Sequence, residues 1–514
     1  MAAACVFPLA CTSCGEGGNI TEQRPNVIYI FPDQMRNHAM GFWGRPEFAG
    51  AGIMPDPVQT PNLDRFAAQS AVLTSAMSNC PLSSPHRGML LTGMFTENSG
   101  VPLNCNANRP VSSLREDAVC ISDVFADAGY ECAYIGKLHV DLPTPNDPAN
   151  PGHYVEAAVP AWDAYTPPER RHGFGYWYSY GTYDVHKHPH YWDTDGVRHD
   201  IDCWSPEHEA DKAIEWLRNE NGARDDGKPF FMMVGFNPPH APYRSTDDCQ
   251  QEDYDLYSGM TSEELLVRPN ADRTMKKAAS APYYFASVTG VDHAFGRIVD
   301  ELERLGLREN TLVIFSSDHG ETMCSHGVED PKNSPYAESM NVPFIASMPG
   351  RITPHIDSGL ILSTPDIMPT ILGLCGLQER IPDSVEGRNY ADRIADGCSA
   401  AAGLRSGALY IRNGDGERDA DGKVVSYFPV ARGIKTARYT MAITVDRKTR
   451  TVKNMLLFDD EADPYQMNPL THAGNEDIVA TLCAEMAQLL KEADDPWYKE
   501  RILGDMIPYD SKTE

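Results

Sequence analysis

Arg24-Pro25-Asn26-Val27-Ile28-Tyr29-Ile30-Phe31-Pro32-Asp33-Gln34 is the stretch that decides the fold class. Asn26–Phe31 is a short β-prone run, apolar throughout after Asn26, and it ends abruptly at Pro32-Asp33-Gln34. A half-exposed strand would alternate polar with apolar residues; a continuous apolar run reads as a strand buried on both faces. Its carboxyl end then delivers Asp33 and Gln34. Similar runs recur at Ala133–Ile135, Pro229–Val234, Thr311–Phe315 and Pro343–Ser347. Helical patterns lie between them. Ser205-Pro206-Glu207 reads as a cap with Pro in the first turn, and Ala210, Ala213, Ile214 and Leu217 follow on one face. Val288, Val291, Phe295, Ile298, Leu302 and Leu305 repeat that spacing until Gly306 stops it. Strands alternating with helices predict an α/β fold, a large central, mostly parallel or mixed sheet sandwiched by helices. In such sheets ligands sit at the carboxyl ends of the strands.

The pattern changes near Leu377–Ser384, after an apolar helix around Ile367–Leu374. Beyond it come turn-rich Asn413–Lys423, strand-like Arg438–Val445 and Met455–Phe458, and an amphipathic helix at about Ile478–Glu492. The expected division is a leader over 1–23, the α/β domain over 24–377, and a smaller C-terminal domain of antiparallel sheet plus helix over 378–514. The first 18 residues are small and apolar, with Cys11 or Cys14 placed to follow a lipoprotein-type cleavage site, but they lack the basic start of a secretory signal. No internal apolar run approaches the roughly 20 residues of a membrane span.

Among 514 residues, Lys+Arg 44 against Asp+Glu 73 gives a net charge of −29. That field repels polyphosphate and argues against nucleic acid as a partner. A local cationic pocket for a small anion remains compatible with it. The 13 cysteines are scattered, with a CxxC spacing at Cys11–Cys14 alone, so a zinc site or a dense disulfide framework is disfavoured. Most read as small buried apolar residues.

Four polar clusters stand at predicted strand ends or helix starts. They are Asp33-Gln34; Ser83-Ser84-Pro85-His86-Arg87 with Leu91-Thr92-Gly93; Gly136-Lys137-Leu138-His139 together with Asn237-Pro238-Pro239-His240; and Ser317-Asp318-His319-Gly320-Glu321 with Lys332 downstream. Taken singly, each has an ordinary structural reading, as a helix cap or a hydrogen-bonded core histidine. In this order they resemble the formylglycine-dependent sulfatases of the alkaline-phosphatase superfamily, and the resemblance runs from about Arg24 to Leu470. Ser83-x-Pro85-x-Arg87-x-x-x-Leu91-Thr92-Gly93 is similar to that family's signature. Arg24-Pro25-Asn26-Val27 leading to Asp33 resembles its first strand, and Gly136-Lys137-x-His139 its Gly-Lys-x-His element. Lys332-x-x-x-Tyr336-x-Glu338, Leu457-Phe458-Asp459 and Asp463-Pro464 continue the match.

A sulfate monoester carries a full negative charge on a poor electrophile, so its site must neutralise charge and supply a strong nucleophile. Oxygen ligands Asp33, Gln34 and Asp318, with His319 beside them, suit a hard divalent cation, Ca²⁺ by family expectation with Mg²⁺ or Mn²⁺ as alternatives. Lys137, Lys332 and Arg87 add positive charge. The resemblance implies that Ser83 is oxidised to Cα-formylglycine and joins the metal ligands, its hydrate presenting two geminal hydroxyls. One attacks sulfur; His240 and Lys332 are the candidates to protonate the leaving oxygen, and His139 to take a proton from the second hydroxyl. Arg87 is expected to hold the formylglycine in place. Serine in place of the commoner cysteine implies a bacterial protein matured by a radical-type formylglycine-generating enzyme. His86 replaces the commoner Ser, and Gln34 and His319 replace Asp and Asn, a metal set also found in related phosphonate monoester and choline sulfate hydrolases.

His172–Trp192 is rich in aromatics and histidines. Phe174 and Trp177 read as packing, and Tyr180, His186 and His188 as a carbohydrate subsite, since rings stack on sugar faces and imidazoles bond hydroxyls. Arg432 is a further candidate to close the pocket. These readings predict a sulfatase acting on a sulfated carbohydrate, mucin, glycosaminoglycan or algal, in the periplasm or at the cell surface. A phosphonate or phosphate ester or choline sulfate hydrolase of the same superfamily is the alternative, and a non-catalytic glycan-binding protein the other.

Overall fold

The computed structural model describes residues 24–397 and 403–506, so the expected leader lies outside the described residues. The strand Asn26–Ile30 pairs in parallel with Phe230–Gly235 on one side and Thr311–Phe315 on the other. Glu131–Lys137 and Tyr176–Tyr180 extend the parallel set beyond Phe230–Gly235. Antiparallel pairings continue the sheet on both sides of this set, Ile345–Ser347 against Thr311–Phe315 and His190–Asp193 against Tyr176–Tyr180, within a mixed sheet of ten strands. The central strand is apolar throughout because both of its faces are covered. Val27, Tyr29 and Phe31 enter one hydrophobic cluster, while Ile28 and Ile30 enter the other. The helices Ala281–Arg304 and Ser205–Leu217 cover the second face, with Phe285, Val288, Phe295 and Ile298 in its cluster. Ser205 is the first residue of its helix rather than the cap; Trp204 holds the cap position and makes no capping bond.

The C-terminal part forms a four-stranded antiparallel sheet, Gly407–Asp415, Tyr427–Thr436, Tyr439–Val445 and Val452–Asp459 in that order, with the helix Glu476–Glu492 packed on it. The first two strands are not evident in the sequence. Gly407–Asp415 is an edge strand whose apolar run, Ala408–Ile411, is short and gives way to the polar Arg412-Asn413-Gly414-Asp415, and Tyr427–Thr436 is interrupted by Pro429 and Gly433. Met89 and Phe95 join Leu409, Ile434 and Met441 in one cluster, so this sheet braces the helix Ser83–Thr92. The described cysteines are free thiols, all buried except Cys203. Among the described residues no helix is long and apolar enough to cross a membrane.

One close approach fixes the strand that carries Lys137. Gly136 has φ +92, and a Cβ there would lie 2.3 Å from the Gly235 carbonyl oxygen across the strand pair. Gly136→Ala is expected to cost about 2–4 kcal/mol, since both the positive φ and the contact must be relieved by moving backbone. A denaturant midpoint unchanged from wild type would show that the strands part at no cost.

Candidate active site

Four adjacent parallel strands bring polar side chains to one edge of the sheet. Asp33 follows Asn26–Ile30, and Ser317–His319 follow Thr311–Phe315. Asn237 and His240 follow Phe230–Gly235, and Lys137 is the last residue of its strand. The helix Ser83–Thr92 supplies the fifth piece. It is buried along its whole length, begins at Ser83, and ends at Gly93 with φ +67. Ser83 Oγ lies 3.2 Å from His319 Nε2 and 3.4 Å from Asp33 Oδ1.

The carboxylates are held from behind by cations. Lys137 Nζ is 2.7 Å from Asp33 Oδ2 and donates to Asn237 Oδ1 at 3.0 Å. The Arg87 guanidinium reaches Asp33 Oδ2 at 3.3 Å and Asp318 Oδ2 at 3.1 Å, and donates to the Lys137 carbonyl at 2.7 Å. Arg87 thus grips the two aspartates, where the sequence suggested that it holds residue 83 itself. Burial alone would raise the Asp33 carboxyl, but the Lys137 ammonium beside it, above all, holds it well below the usual carboxylate range.

Asp33, Asp318 and His319 present ligand atoms that all lie within 4.8 Å of one another. His319 Nδ1 sits 3.0 Å from the Gly320 carbonyl, so that nitrogen carries the proton and Nε2 turns its lone pair toward the carboxylates. Gln34 adopts φ 65, donates its amide nitrogen to Glu321, and leaves Oε1 buried without a partner. Glu321 is in turn fixed by Lys277 at 2.6 Å, Tyr243 at 2.8 Å and the Met323 amide at 2.8 Å. Two carboxylates, an orphaned amide oxygen and an imidazole nitrogen fit a divalent cation.

On the outer side, Lys332 Nζ lies 3.0 Å from His240 Nε2 and 3.2 Å from His319 Nε2. His240 Nδ1 is 2.7 Å from the Ala241 carbonyl and 3.3 Å from Asp184 Oδ1, so Nδ1 donates and Nε2 accepts from Lys332. Burial lowers the pKa of both Lys332 and His240. His139, at φ 53, is buried with Nε2 3.1 Å from the Cys105 carbonyl and Nδ1 without a partner. Burial, then Lys137, lowers its pKa well below the histidine range, so it stands as a neutral base.

The structure thus brings together Asp33, Gln34, Ser83, Arg87, Lys137, His240, Asp318, His319 and Lys332, with His139 buried among their charges. The residues expected to touch a sugar fare differently. Tyr180 is 1% exposed and packs on Tyr183, which encloses it in the added strands instead of opening it to a ligand. His186 is 2% exposed, its Nε2 3.0 Å from the His240 carbonyl, and so braces the His240 loop. His188 is exposed and paired with Asp202 at 2.9 Å, away from the Ser83 cluster's hydrogen bonds. Arg432 is fully buried and spent on Asp495 at 2.7 Å and Glu97 at 3.2 Å; it fastens the small sheet and closes no pocket. Phe174 and Trp177 are buried, as read from the sequence. Asn237 and Glu321 stand in the same sequence clusters as His240 and Asp318, and that adjacency was the available signal for them. Asp184 and Lys277 carry no such signal.

A hydroxyl beside a candidate cation site and buried cationic side chains, at the carboxyl edge of a parallel sheet, suits hydrolysis of an anionic ester. Residues 25–377 match the Sulfatase family. The chain is 61% identical over 503 residues to an endo-4-O-sulfatase of Bacteroides thetaiotaomicron, covering 97% of this chain and 99% of that one. It is 32% identical to a ulvan-active sulfatase of Formosa agariphila, over 91% of this chain and 82% of the relative. A solved structure from work on metabolism of multiple glycosaminoglycans by Bacteroides thetaiotaomicron superposes with a TM-score of 0.94 at 62% identity, covering 95% of this chain and all of that one. The phosphonate monoester hydrolase of Agrobacterium radiobacter, with a TM-score of 0.61 at 20% identity over 93% of this chain and 96% of that one, shares the fold. The chain belongs to the sulfatase family and is an enzyme that hydrolyses sulfate esters.

Proposed function

We propose that this enzyme removes 4-O-sulfate groups from within a sulfated glycosaminoglycan, using a formylglycine made from Ser83 and a bound Ca²⁺. The observation that carries the reading is the Ser83 hydroxyl, 3.2 Å from His319 Nε2 and 3.4 Å from Asp33 Oδ1, with Lys332 on the other side of His319 at 3.2 Å. The endo-4-O-sulfatase at 61% identity supports the linkage and the attack inside a chain. Asp33, Asp318, His319 and Gln34 Oε1 would hold the cation. When bound, it would draw negative charge from a sulfate oxygen and favour an ionised nucleophile beside it. Oxidation of Ser83 would give that position a hydrated aldehyde.

The remaining work falls to residues of the chain. Lys137 and Arg87 neutralise the aspartates from the rear, so their outward oxygens stay available. Lys332 is placed to give a proton to the departing sugar oxygen, and His240 Nε2 steadies the ammonium without competing for that proton. His139, with its buried Nδ1 free of any partner, would accept a proton at residue 83. Serine at position 83 points to maturation by a radical-type formylglycine-generating enzyme, and sulfated glycans are met outside the cytoplasm, in the periplasm or at the cell surface.

The deciding test is sulfate release from 4-O-sulfated and 6-O-sulfated glycosaminoglycans, as polymer and as disaccharide, after peptide mass confirms the aldehyde at residue 83. Release from the 4-O-sulfated polymer is expected. Release confined to disaccharides or to 6-O-sulfate would refute the linkage or the internal attack. Chelated protein is expected to lose stability as well as activity. Adding Ca²⁺ at about 100 times its Kd should restore about 2.7 kcal/mol, read as a shift in the unfolding midpoint. A midpoint indifferent to Ca²⁺ would remove the cation from this cluster.

A further inference from the structure

A cleft of about 730 Å³ opens on the small C-terminal sheet, with Leu82, the residue before Ser83, in its wall. Its wall includes Leu82, Asn104, Arg109, Asn333, Arg412 and Lys453. Two of these adjoin the reaction centre along the chain, Leu82 before Ser83 and Asn333 after Lys332. A third is bonded to it, since Asn104 Oδ1 accepts from the Ser84 amide at 3.0 Å. The cleft therefore adjoins the reaction centre, along the chain at Leu82 and Asn333 and through the Asn104 bond. It is far larger than a sulfate group and of a size to hold a sugar ring.

Its charge runs against that of the whole chain. Arg109, Arg412, Arg447 and Lys453 face it, against Asp415 and Asp446, in a protein of net charge −29. Both carboxylates are already engaged. Asp415 pairs with Arg109 at 3.0 Å and Arg418 at 2.7 Å, and Asp446 accepts from the Lys448 and Thr449 amides at 2.9 Å. Among the described residues the half-buried Arg412 guanidinium and the exposed Lys453 ammonium form no ion pair. A partly desolvated guanidinium without a counter-charge is unfavourable unless an anion meets it, and its planar fork matches a carboxylate or a sulfate.

We propose that this cleft is an anion-binding subsite for the sugar next to the sulfated one, with Arg412 as its main contact and Lys453 and Arg109 at its rim. The proposal rests on the saccharide reading above and makes the substrate a polyanion, recognised at two charges at once. Arg412 and Lys453 are specificity-determining residues here, apart from the groups that touch the ester.

The test uses the matured enzyme and three probes: a chondroitin 4-sulfate tetrasaccharide, its carboxyl-reduced form, and a tetrasaccharide sulfated on one hexosamine alone. Arg412→Ala is expected to raise KM for the first probe about tenfold and Lys453→Ala about threefold, with kcat nearly unchanged. Carboxyl reduction should impose a similar KM penalty on wild type and none on Arg412→Ala. If removing the second sulfate does so instead, the anion is a sulfate and the subsite stands. KM values indifferent to Arg412→Ala and Lys453→Ala, or penalties equal for charged and charge-depleted probes, would overturn it. Lys453 lies exposed on its strand, so its variant reports even if Arg412→Ala unfolds; Arg412→Lys, with a thermal midpoint, covers the other position. Binding of the first probe to the non-turnover Ser83→Ala protein gives the same comparison as Kd. Failure of the saccharide reading would look different, with no sulfate released from any probe by wild-type enzyme carrying the aldehyde.

Discussion

Ser83→Ala is expected to abolish sulfate release, by at least about 10⁴-fold, and to leave the fold intact. Loss of an attacking group costs a hydrolase more than loss of any group that merely assists, because proton donors and cations then have nothing to act upon. Ser83 is the first residue of its helix, so its hydroxyl is placed by the buried residues Ser84–Thr92 behind it and by the Asp33 and His319 contacts in front. The hydroxyl itself bears little of the packing, which Met89, Leu90 and Leu91 supply. The unfolding midpoint should therefore stay within a degree or two of wild type while product falls to background. Protein made without a maturation enzyme should behave like the alanine variant, and Ser83→Cys co-expressed with a formylglycine-generating enzyme should recover activity. Turnover by a folded Ser83→Ala protein would place the attacking group elsewhere.

The second large effect is expected at Lys332. Its ammonium lies between His240 Nε2 at 3.0 Å and His319 Nε2 at 3.2 Å, and both of those nitrogens present lone pairs. Lys332 is thus the proton-bearing member of the trio. A sugar alkoxide is a poor leaving group and needs a proton as the bond breaks; a nitrophenolate does not. Lys332→Ala should lower kcat on a sulfated saccharide by about 10²–10⁴-fold and on a nitrophenyl sulfate by about tenfold or less. His240→Asn, which removes the acceptor and keeps a polar side chain, should fall between wild type and Lys332→Ala on the saccharide. Equal losses on both substrates would assign Lys332 to charge neutralisation in place of proton donation.

Much of this site was legible before any coordinates. Asn26–Phe31 could be read as a doubly buried strand because a central parallel strand has no solvent face to alternate toward, and its apolar continuity records that directly. Strand ends are where a parallel sheet exposes unpaired backbone and polar side chains, so Asp33, Lys137, His240 and Asp318 announce themselves as abrupt polar breaks after apolar runs. The aromatic segment shows the limit. Tyr180, His186 and His188 share one composition, yet two are buried and one is paired with Asp202 in solvent, a difference set by which edge of the sheet the added strands cover.

What the residues determined by themselves was the buried sheet, the order of polar breaks at its edge, and membership of a hydrolase family whose chemistry needs those groups. Only the tertiary structure decided which charges meet. Arg432 and Glu97 stand 335 positions apart and Arg432 and Asp495 63, yet they close two buried ion pairs on one guanidinium. Arg412, 20 positions from Arg432 on the neighbouring strand, is left facing an open cleft. Nothing local distinguishes two arginines on adjacent strands. Register and the pleat choose which guanidinium is turned inward to a carboxylate and which is kept for a ligand, and both arise from long-range pairing that no short window of sequence contains.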